Sequence, residues 1–598
     1  MKSLLACAVM LGTLATPVLA ADGAPAAPVD RKAAEERIPR QLDEEQATGY
    51  RTVFAAIRES RWLDAQLALD GMKPGPLHAI ARAELVTAKG SPKAELDPLM
   101  KLLAEAPELP QAQQIAALAK RRGASELPQL PELQRLSWID GAPVRKRVKS
   151  LVAGDMVAAE LAIRMQPYVK ADDGASAQAL LDSTEGLSPE SIAEWQQKIA
   201  WMYFLSGDDN NARAMAAKGA AGTGDWAMQA RWTGALAAWR QNDCKAAGAA
   251  FEDVAARAGD VEMRAAGLFW ASRADMACGR PDLVEPRLKN AAQLDETFYG
   301  LLARQALGIQ EKPRPAERHV AADWTLLSRR PNVRVAAALV EIDEDELADE
   351  VLRQQARLSD PAEFSALTRL AGVLDLPSTV VWLSHNGPAG VTPTVAARYP
   401  APSWTPDGGW RVDKALVYAH TLQESRFRTR VVSPAGAYGL MQVMPAAALD
   451  IARKQGRPFD KGMLSKPSVN MEVGQSYLEQ LRDQPCTEGL LPKVIAAYNA
   501  GPVPVTSWNA LVRDGGDPLL YIESIPYWET RGYVVTVLRN YWMYEGQTGK
   551  LASPSRTALA QGMWPRFPGL SGPAAVRLTG RANGTKVASA SNSAASAN

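Results

Sequence analysis

Apolar residues recur every three or four positions through the first half of the chain, which is the spacing of one face of a helix. Over residues 31–335 the apolar stretches are about 12 to 18 residues long and rich in Ala, Leu, Arg and Glu. Short polar or Pro/Gly-containing breaks separate them, as at 73–76, 207–209 and 279–281. Helix-length segments between short breaks are typical of helical hairpins. The pattern predicts an all-α fold that begins with an N-terminal helical superhelix of stacked hairpins over residues 31–335.

A weak repeat runs through residues 201–217, 235–251 and 269–288. Each copy has an aromatic-rich helix, a polar turn and an Ala-rich helix, and the copies start about 34 residues apart. A period of this length indicates stacked helix pairs, each of which buries one face against the next. Two interpretations stay open, a concave docking surface and a plain scaffold. Core packing is favoured over carbohydrate platforms for the tryptophans of this region, which are Trp201, Trp226, Trp232, Trp239 and Trp270.

Two cysteines occupy equivalent places in successive copies of the repeat. Cys244 and Cys278 each lie at the turn that follows an aromatic-rich helix. Equivalent positions of stacked hairpins become spatial neighbours, so we expect their Cα atoms within the roughly 4.4–6.8 Å that a disulfide needs. The repeat therefore predicts a Cys244–Cys278 disulfide with Cys486 free. The alternative is that all three are free thiols.

The second half of the chain divides where its composition changes. Residues 336–397 form another helical stretch without the repeat, which we interpret as a helical linker domain. A Pro/Gly-rich joint at 399–409 marks a domain boundary, and a compact domain is predicted over 398–550. Residues 551–598 drift into Ser, Ala, Asn and Gly, a composition that predicts a disordered tail.

The N-terminus has the pattern of a secretory signal. A basic residue precedes an apolar run at residues 4–19, and small residues offer a cleavage site near Ala20. A membrane anchor is the alternative, but Gly12 and Pro17 interrupt the run and no second apolar span follows. We predict a signal peptide at residues 1–20, export to the periplasm, and no integral membrane span once the signal is removed.

Composition and charge exclude several classes of function. The chain has 598 residues, with 67 Lys and Arg against 66 Asp and Glu, and this balance gives no global field for nucleic acid. Four scattered histidines and the lack of a Cys-x-x-Cys pair exclude the common zinc spacings. The sequence has no phosphate-binding P-loop motif. Zinc sites of the common kind and P-loop nucleotide chemistry are therefore not expected.

One carboxylate stands at an unusual place in the compact domain. Asp413 is a typical N-cap residue, and it predicts a helix from 414 to about 427 that is apolar on most sides. Glu424 lies near the C-terminal end of this helix, where the helix dipole disfavours negative charge. The dipole and an apolar wall would raise the pKa of Glu424, as a general acid requires. By itself a helical glutamate is usually solvated or ion-paired.

Three further motifs follow in order. Gly-Ala-Tyr-Gly-Leu-Met-Gln-Val-Met-Pro occupies 436–445, where two glycines allow a tight turn and leave room for a ligand before a helix that carries Gln442 and Met444. Ala-Tyr-Asn-Ala-Gly lies at 497–501, and Glu-Ser-Ile-Pro with Glu-Thr-Arg and Tyr-Val at 523–534. With Glu-Ser at 424–425, these motifs resemble the soluble lytic transglycosylases of glycoside hydrolase family 23. The resemblance is specific over about 398–544 and only architectural before it.

The resemblance implies a goose-type-lysozyme-like catalytic domain over 398–550, with Glu424 as its single acid/base. It places the following residues along the glycan cleft: Ser433, Gln442, Met444, Tyr498 and Glu523. Glu523 is expected to hydrogen-bond the substrate or support the site rather than act as a nucleophile. Asn499 adds an amide that could orient a sugar, although capping at the helix end is its alternative role. His420, one turn before Glu424, is interpreted as a neighbour and not as a second acid/base.

The implied reaction is the cleavage of peptidoglycan glycan strands between N-acetylmuramic acid and N-acetylglucosamine without added water. In it, Glu424 protonates the leaving oxygen of the β-1,4 bond and then takes the proton of the muramyl C6 hydroxyl, so that a 1,6-anhydromuramyl product forms. The resemblance implies neither a metal nor a cofactor. A hydrolytic muramidase on the same fold stays open, as does preference for chain ends. A non-catalytic scaffold is disfavoured by the intact cleft motifs.

Overall fold

The computed structural model describes residues 38–139, 141–309, 320–548 and 553–578, and its regular secondary structure is almost entirely helical. The predicted all-α fold class is confirmed. The predicted signal peptide at residues 1–20 lies outside the described residues. Across the described ranges, the structure has no helix with both the length and the apolar character that a membrane span requires.

Within the described residues, nineteen α-helices precede the Pro/Gly-rich joint. They are α1 (Glu44–Arg58), α2 (Trp62–Gly71), α3 (His78–Thr87), α4 (Leu96–Glu105), α5 (Ala112–Arg121), α6 (Met156–Lys170), α7 (Gly174–Asp182), α8 (Pro189–Ser206), α9 (Asp209–Ala220), α10 (Gly224–Arg240), α11 (Cys244–Arg257), α12 (Val261–Ala277), α13 (Pro281–Ala292), α14 (Phe298–Ala306), α15 (Val320–Leu327), α16 (Pro331–Val340), α17 (Asp345–Leu358), α18 (Phe364–Val373) and α19 (Pro377–Leu383).

The remaining helices follow the joint. They are α20 (Lys414–Ser425), α21 (Pro445–Lys454), α22 (Pro467–Arg482), α23 (Leu491–Ala500), α24 (Pro502–Leu511), α25 (Pro518–Ser524), α26 (Trp528–Gln547) and α27 (Pro554–Ala560). The described residues also contain two antiparallel pairs of two-residue strands. β1 (Ser137–Trp138) pairs with β2 (Asn386–Gly387), and β3 (Trp564–Pro565) pairs with β4 (Ala575–Val576).

The helical hairpins of the middle region share one kind of turn. A residue with positive φ ends the first helix, and the next residue is an aspartate whose side chain accepts a hydrogen bond from a backbone N–H of the following helix. The residue with positive φ reverses the chain in little space, and the aspartate caps the next helix. Three hairpins in succession use this turn, at Asp172-Asp173, Gly207-Asp208 and Asn242-Asp243. Regular turns of this kind give the stacked helix pairs that the repeat predicts.

Cys244 and Cys278 are joined by a disulfide in this stack. Cys244 is the first residue of α11, and Cys278 caps the C-terminus of α12. Their Cα atoms are 5.6 Å apart, a separation ordinary for disulfides. Cys486 is a buried free thiol. The bridge ties the start of one hairpin's second helix to the end of the next hairpin's first helix.

The hydrophobic cores divide the chain differently from the predicted domains. One core combines α1–α5 with α15–α19, although these groups are far apart in sequence. A second core runs from α6 through α14 and continues into the segment 399–578. The predicted boundary between a superhelix at 31–335 and a linker domain at 336–397 is therefore not a boundary of packing. The first helices and the linker helices stabilise one another.

The disordered tail was predicted to start at residue 551, but the structure describes a folded segment at residues 553–578. Within it, α27 and the β3–β4 pair belong to the second core. Leu559, Trp564 and Phe567 are almost fully buried, and the Trp564 indole N–H donates to the Gly516 carbonyl at 2.8 Å. These three apolar side chains pack the segment into the second core, although its overall composition is polar. Residues 579–598 lie outside the described residues.

Candidate active site

Glu424 lies on the last turn of α20, a helix that the sequence sets locally. The Asp413 carboxylate accepts a hydrogen bond from the Ala415 N–H at 2.9 Å and caps the helix, as predicted. The helix ends at Ser425, two residues earlier than predicted, because Arg426 and Phe427 both have positive φ. Such backbone is costly outside glycine and is commonly found near functional sites. The turn fixes the direction of the chain immediately after Glu424.

The environment of Glu424 favours its protonated form. The side chain is half-buried, and burial raises its pKa to about 7. The negative charge of Glu529 on α26 raises the pKa further, whereas a hydrogen bond from the Tyr533 hydroxyl lowers it. That hydroxyl donates to Glu424 Oε1 at 2.6 Å. A carboxyl group with a pKa near neutrality is suited to give a proton and to take one back.

His420 extends this contact into the core. Its Nδ1 lies 2.8 Å from the Tyr533 oxygen. Because Tyr533 uses its only proton on Glu424, the Nδ1–H of His420 must be the donor in this second hydrogen bond. Burial lowers the pKa of His420 to about 3, so the imidazole is neutral. His420 therefore holds Tyr533 in place, and it is not itself placed to exchange a proton with a ligand.

The loop between α20 and α21 folds as a small glycine-dependent hairpin. Tyr438 forms bridges to strand-like residues on both sides of it. Gly436 and Gly439 have φ of 83° and 71°. A Cβ on Gly439 would lie 2.4 Å from the Leu464 carbonyl oxygen, so this position requires glycine. Ser433 closes the loop, because its hydroxyl accepts a hydrogen bond from the Ala437 N–H at 3.0 Å.

Gln442 and Met444 precede a helix rather than lie within one. Helix α21 begins at Pro445, with Met444 as its N-cap residue. Gln442 has a φ of 47°, and its amide donates to the Gly439 carbonyl at 2.8 Å. Met444 is 45% exposed, which is unusual for so large an apolar side chain. The helix prediction was wrong here because the glycine-containing turn continues up to Pro445.

Tyr498 and Asn499 lie at the C-terminal end of α23 and hold neighbouring elements. The Tyr498 hydroxyl donates to the Met441 carbonyl at 2.8 Å, and its ring centre lies 4.5 Å from that of His420. Asn499 Oδ1 accepts a hydrogen bond from the Thr530 hydroxyl of α26 at 2.6 Å. Both residues thus connect the glycine loop and α26 to the region around Glu424.

Glu523 does not line a cleft. Its side chain is fully buried and is paired with Arg145 of the N-terminal half at 2.6 and 3.0 Å. Tyr299 donates a further hydrogen bond to it at 2.7 Å. Arg145 holds the pKa of Glu523 below its usual range in spite of burial. Of the two expected roles, substrate contact or support of the site, this buried position fits support, because the carboxylate joins α25 to the N-terminal half of the chain.

Tyr533 is the site residue to which sequence reasoning gave no role. Its signal was present in the Tyr-Val pair that ends the fourth motif, four residues after Glu529 and so on the same face of a helix. Within the described ranges, no group of three His, Cys, Asp or Glu side chains could hold a metal ion.

Part of the chain is similar to known proteins. Residues 406–519 match the family described as the transglycosylase SLT domain. The chain is 36% identical over 152 residues to the soluble lytic murein transglycosylase of Salmonella typhimurium, covering 25% of this chain and 23% of that protein. It is 37% identical over 132 residues to that of Escherichia coli K12, covering 22% and 20%. The chain thus matches these curated relatives over about a fifth of their length.

Two solved structures share the fold over most of the chain. The 70 kDa soluble lytic transglycosylase from Escherichia coli has a TM-score of 0.53 at 18% identity, and the match covers 88% of this chain and 99% of that one. An inactive mutant of a lytic transglycosylase from Pseudomonas aeruginosa has a TM-score of 0.51 at 20% identity, with 84% and 81% covered. Residues 406–519 are thus similar to the transglycosylase SLT domain. The resemblance to soluble lytic transglycosylases is confirmed.

Proposed function

We propose that this protein is a peptidoglycan lytic transglycosylase that cleaves the β-1,4 bond between N-acetylmuramic acid and N-acetylglucosamine, with Glu424 as acid and base. The observation that carries the proposal is the Glu424 carboxyl group. Within a transglycosylase SLT domain, burial raises the pKa of this group to about 7, and Tyr533 orients it. The peptidoglycan substrate is inferred from the names of the relatives, which are murein transglycosylases.

The first step uses the protonated form of Glu424. Because Tyr533 occupies Oε1, the proton to be transferred is carried by Oε2. Glu424 gives this proton to the glycosidic oxygen, the bond to the muramyl C1 breaks, and positive charge builds on the sugar ring. The carboxylate that remains is stabilised by the hydrogen bond from Tyr533.

The second step returns the proton to Glu424. The carboxylate removes the proton from the muramyl C6 hydroxyl, and the C6 oxygen bonds to C1 to close a 1,6-anhydro ring. No water is consumed, and the acid is regenerated for the next cycle. Of the cleft residues implied by the resemblance, Ser433, Gln442, Met444, Tyr498 and Asn499 support this chemistry by shaping the loop and helix ends beside Glu424. Met444 offers an exposed apolar face to a sugar.

The periplasm is the proposed site of action. The bonded Cys244–Cys278 pair suits an oxidising compartment, and cytosolic proteins rarely keep such a bridge. The apolar run at residues 4–19 would direct the export.

Hydrolysis by the same site is the second candidate, and Glu529 is the observation that favours it. Glu529 is exposed, and its charge is close enough to raise the pKa of Glu424. A second carboxylate near the acid could activate a water molecule, as in inverting glycosidases. Product mass distinguishes the two reactions, because a lyase product is lighter by one water.

The test of the proposal is the variant Glu424→Gln assayed on purified sacculi. We expect a folded protein that still binds glycan but has lost on the order of 10²–10⁴-fold of its activity, since it has no acid to give. Asp450→Asn is the matched control, because it makes the same carboxyl-to-amide change at an exposed residue of α21. Near-normal release of muropeptides by Glu424→Gln would overturn the assignment.

A further inference from the structure

A cavity of about 240 Å³ lies between the superhelix and the last long helix, away from Glu424. Its walls come from α8 and α10 on one side and from the segment around Trp528 on the other. Arg531 lines this cavity, whereas Tyr533 of the same helix contacts Glu424. Two residues of separation on a helix correspond to about 200° of rotation, so the two side chains leave opposite faces of α26. The cavity is therefore distinct from the catalytic cleft.

Three cationic side chains line the cavity. Arg531 is buried, and its Nε and Nη2 donate to the Ile525 carbonyl at 3.1 and 2.9 Å. Lys198 is paired with the buried Glu194 at 2.5 Å. Arg147 is exposed and has no hydrogen bond or ion pair within the part of the chain that the structure describes.

Two carboxylates lie near these cations, and both are already satisfied by the protein. Besides Lys198, Glu194 accepts hydrogen bonds from the Ser150 hydroxyl at 2.6 Å and the Leu151 N–H at 2.7 Å. Glu523, which also interacts with Arg531, is neutralised by Arg145. The cavity thus carries an excess of positive charge, which an anionic ligand would balance.

Flat aromatic surfaces make up much of the remaining wall. Trp201, Trp226, Trp232 and Trp528 all line the cavity. The Arg531 guanidinium lies 4.2 Å from the centre of the Trp201 ring, and Lys198 lies 5.5 Å from that of Trp226. Core packing, the role predicted from sequence, holds for Trp232, which is 1% exposed, whereas Trp201 and Trp226 remain half-buried at the cavity. Cations and aromatic faces together suit a carboxylate on a partly apolar body.

We propose that this cavity is a second binding site, which takes a carboxylate-bearing end of a peptidoglycan peptide stem. The inference rests on the proposed function, because the peptide stem is the part of that substrate that carries carboxylates. A neutral glycan is the poorer fit, since it would leave the charge of Arg147 without a partner, whereas Lys198 is already paired with Glu194. Binding here would hold a strand against the superhelix while another part of it occupies the cleft.

The experiment is isothermal titration of the full chain with a synthetic L-Ala-γ-D-Glu stem peptide that has no sugar. We expect binding that weakens with added salt, since the contacts are partly exposed charges. Arg147→Glu should weaken it by about tenfold or more, the value of one charge-assisted contact. Lys146→Glu is the matched control, because Lys146 is the exposed neighbour that does not line the cavity, and it should bind nearly as well as the wild type.

Three outcomes would overturn the proposal. They are no binding of the stem peptide, equal affinity in Arg147→Glu and wild type, or equal affinity for the peptide and its dimethyl ester. A related result would change the ligand: if a neutral N-acetylglucosamine oligomer bound more tightly than the peptide, and its binding depended on Arg147, the cavity would be a sugar site and the proposal would be wrong. Digestion of sacculi is measured separately. If the proposed function is wrong, no muropeptides are released. The titration still measures binding of the peptide to the cavity, so the two failures can be told apart.

Discussion

At the scale of single residues, Glu424 has two neighbours that act on its pKa in opposite directions. The Tyr533 hydroxyl stabilises the carboxylate and lowers the pKa, whereas the charge of Glu529 destabilises the carboxylate and raises it. The pKa of about 7 is the balance between these effects and burial. In the proposed mechanism the acid form is needed for bond cleavage, so activity should fall as the pH rises above this value.

The pH dependence of activity tests this balance with two variants. Tyr533→Phe removes the hydrogen bond to the carboxylate, so the pKa of Glu424 rises and the alkaline limb of the activity profile moves to higher pH. Glu529→Gln removes a negative charge, so the pKa falls and the limb moves to lower pH. Activity on sacculi measured from pH 5 to 9 gives both limbs. Shifts in the same direction, or no shift in either variant, would contradict the account.

The residue scale also shows what a sequence can and cannot predict about a site. Glu424 was predictable because its motif is local and the helix that carries it is capped by Asp413. The burial of Glu523 was not, because its partner Arg145 lies 378 residues earlier in the chain. A motif gives the identity of a side chain, but only the packing of distant elements decides whether that side chain faces a ligand or the interior.

At the scale of helices and loops, stacking in the middle region depends on regular turns and on the Cys244–Cys278 bridge. The stacking itself was predictable, because helical spacing and a repeat of constant length are both visible in the sequence. The exact helix ends were not. They depend on residues such as Arg426 and Gln442, whose backbone has positive φ. Because these residues are not glycines, the sequence gives no signal of this conformation.

Removal of the disulfide should destabilise the stack without changing the site. The double variant Cys244→Ala/Cys278→Ala should lose about 3–4 kcal/mol of unfolding free energy in the chain-entropy picture. The loss should be greatest in hydrogen exchange of α11 and α12, because the bridge connects them. Cys486→Ala is the control, since it removes a thiol that forms no bridge. Unchanged exchange in α11 and α12 would show that the bridge does not stabilise the stack.

At the scale of the whole molecule, two cores and a buried ion pair connect regions that the sequence presents as separate domains. The joint core of α1–α5 and α15–α19 depends on long-range contacts that periodicity does not encode. The Arg145–Glu523 pair connects the N-terminal half to the segment 399–578. Arg145 also lies over the Trp232 ring at 5.1 Å, so this pair is continuous with the packing of the superhelix.

The variant Glu523→Gln tests this connection. It leaves the Arg145 guanidinium buried without its carboxylate, which typically costs about 3–5 kcal/mol. We expect a lower melting temperature and an unchanged KM for glycan, and partial recovery of stability in Glu523→Gln/Arg145→Met. A raised KM with an unchanged melting temperature would contradict this account and would indicate that Glu523 contacts the substrate.

The most direct test of the central claim is the mass of the muropeptides that the wild-type protein releases from purified sacculi in water enriched in oxygen-18. The account predicts products that are lighter by one water than ordinary muropeptides and that carry no oxygen-18, because the C6 hydroxyl of the substrate replaces water. Full-weight products labelled with oxygen-18 would contradict it and would establish hydrolysis at Glu424.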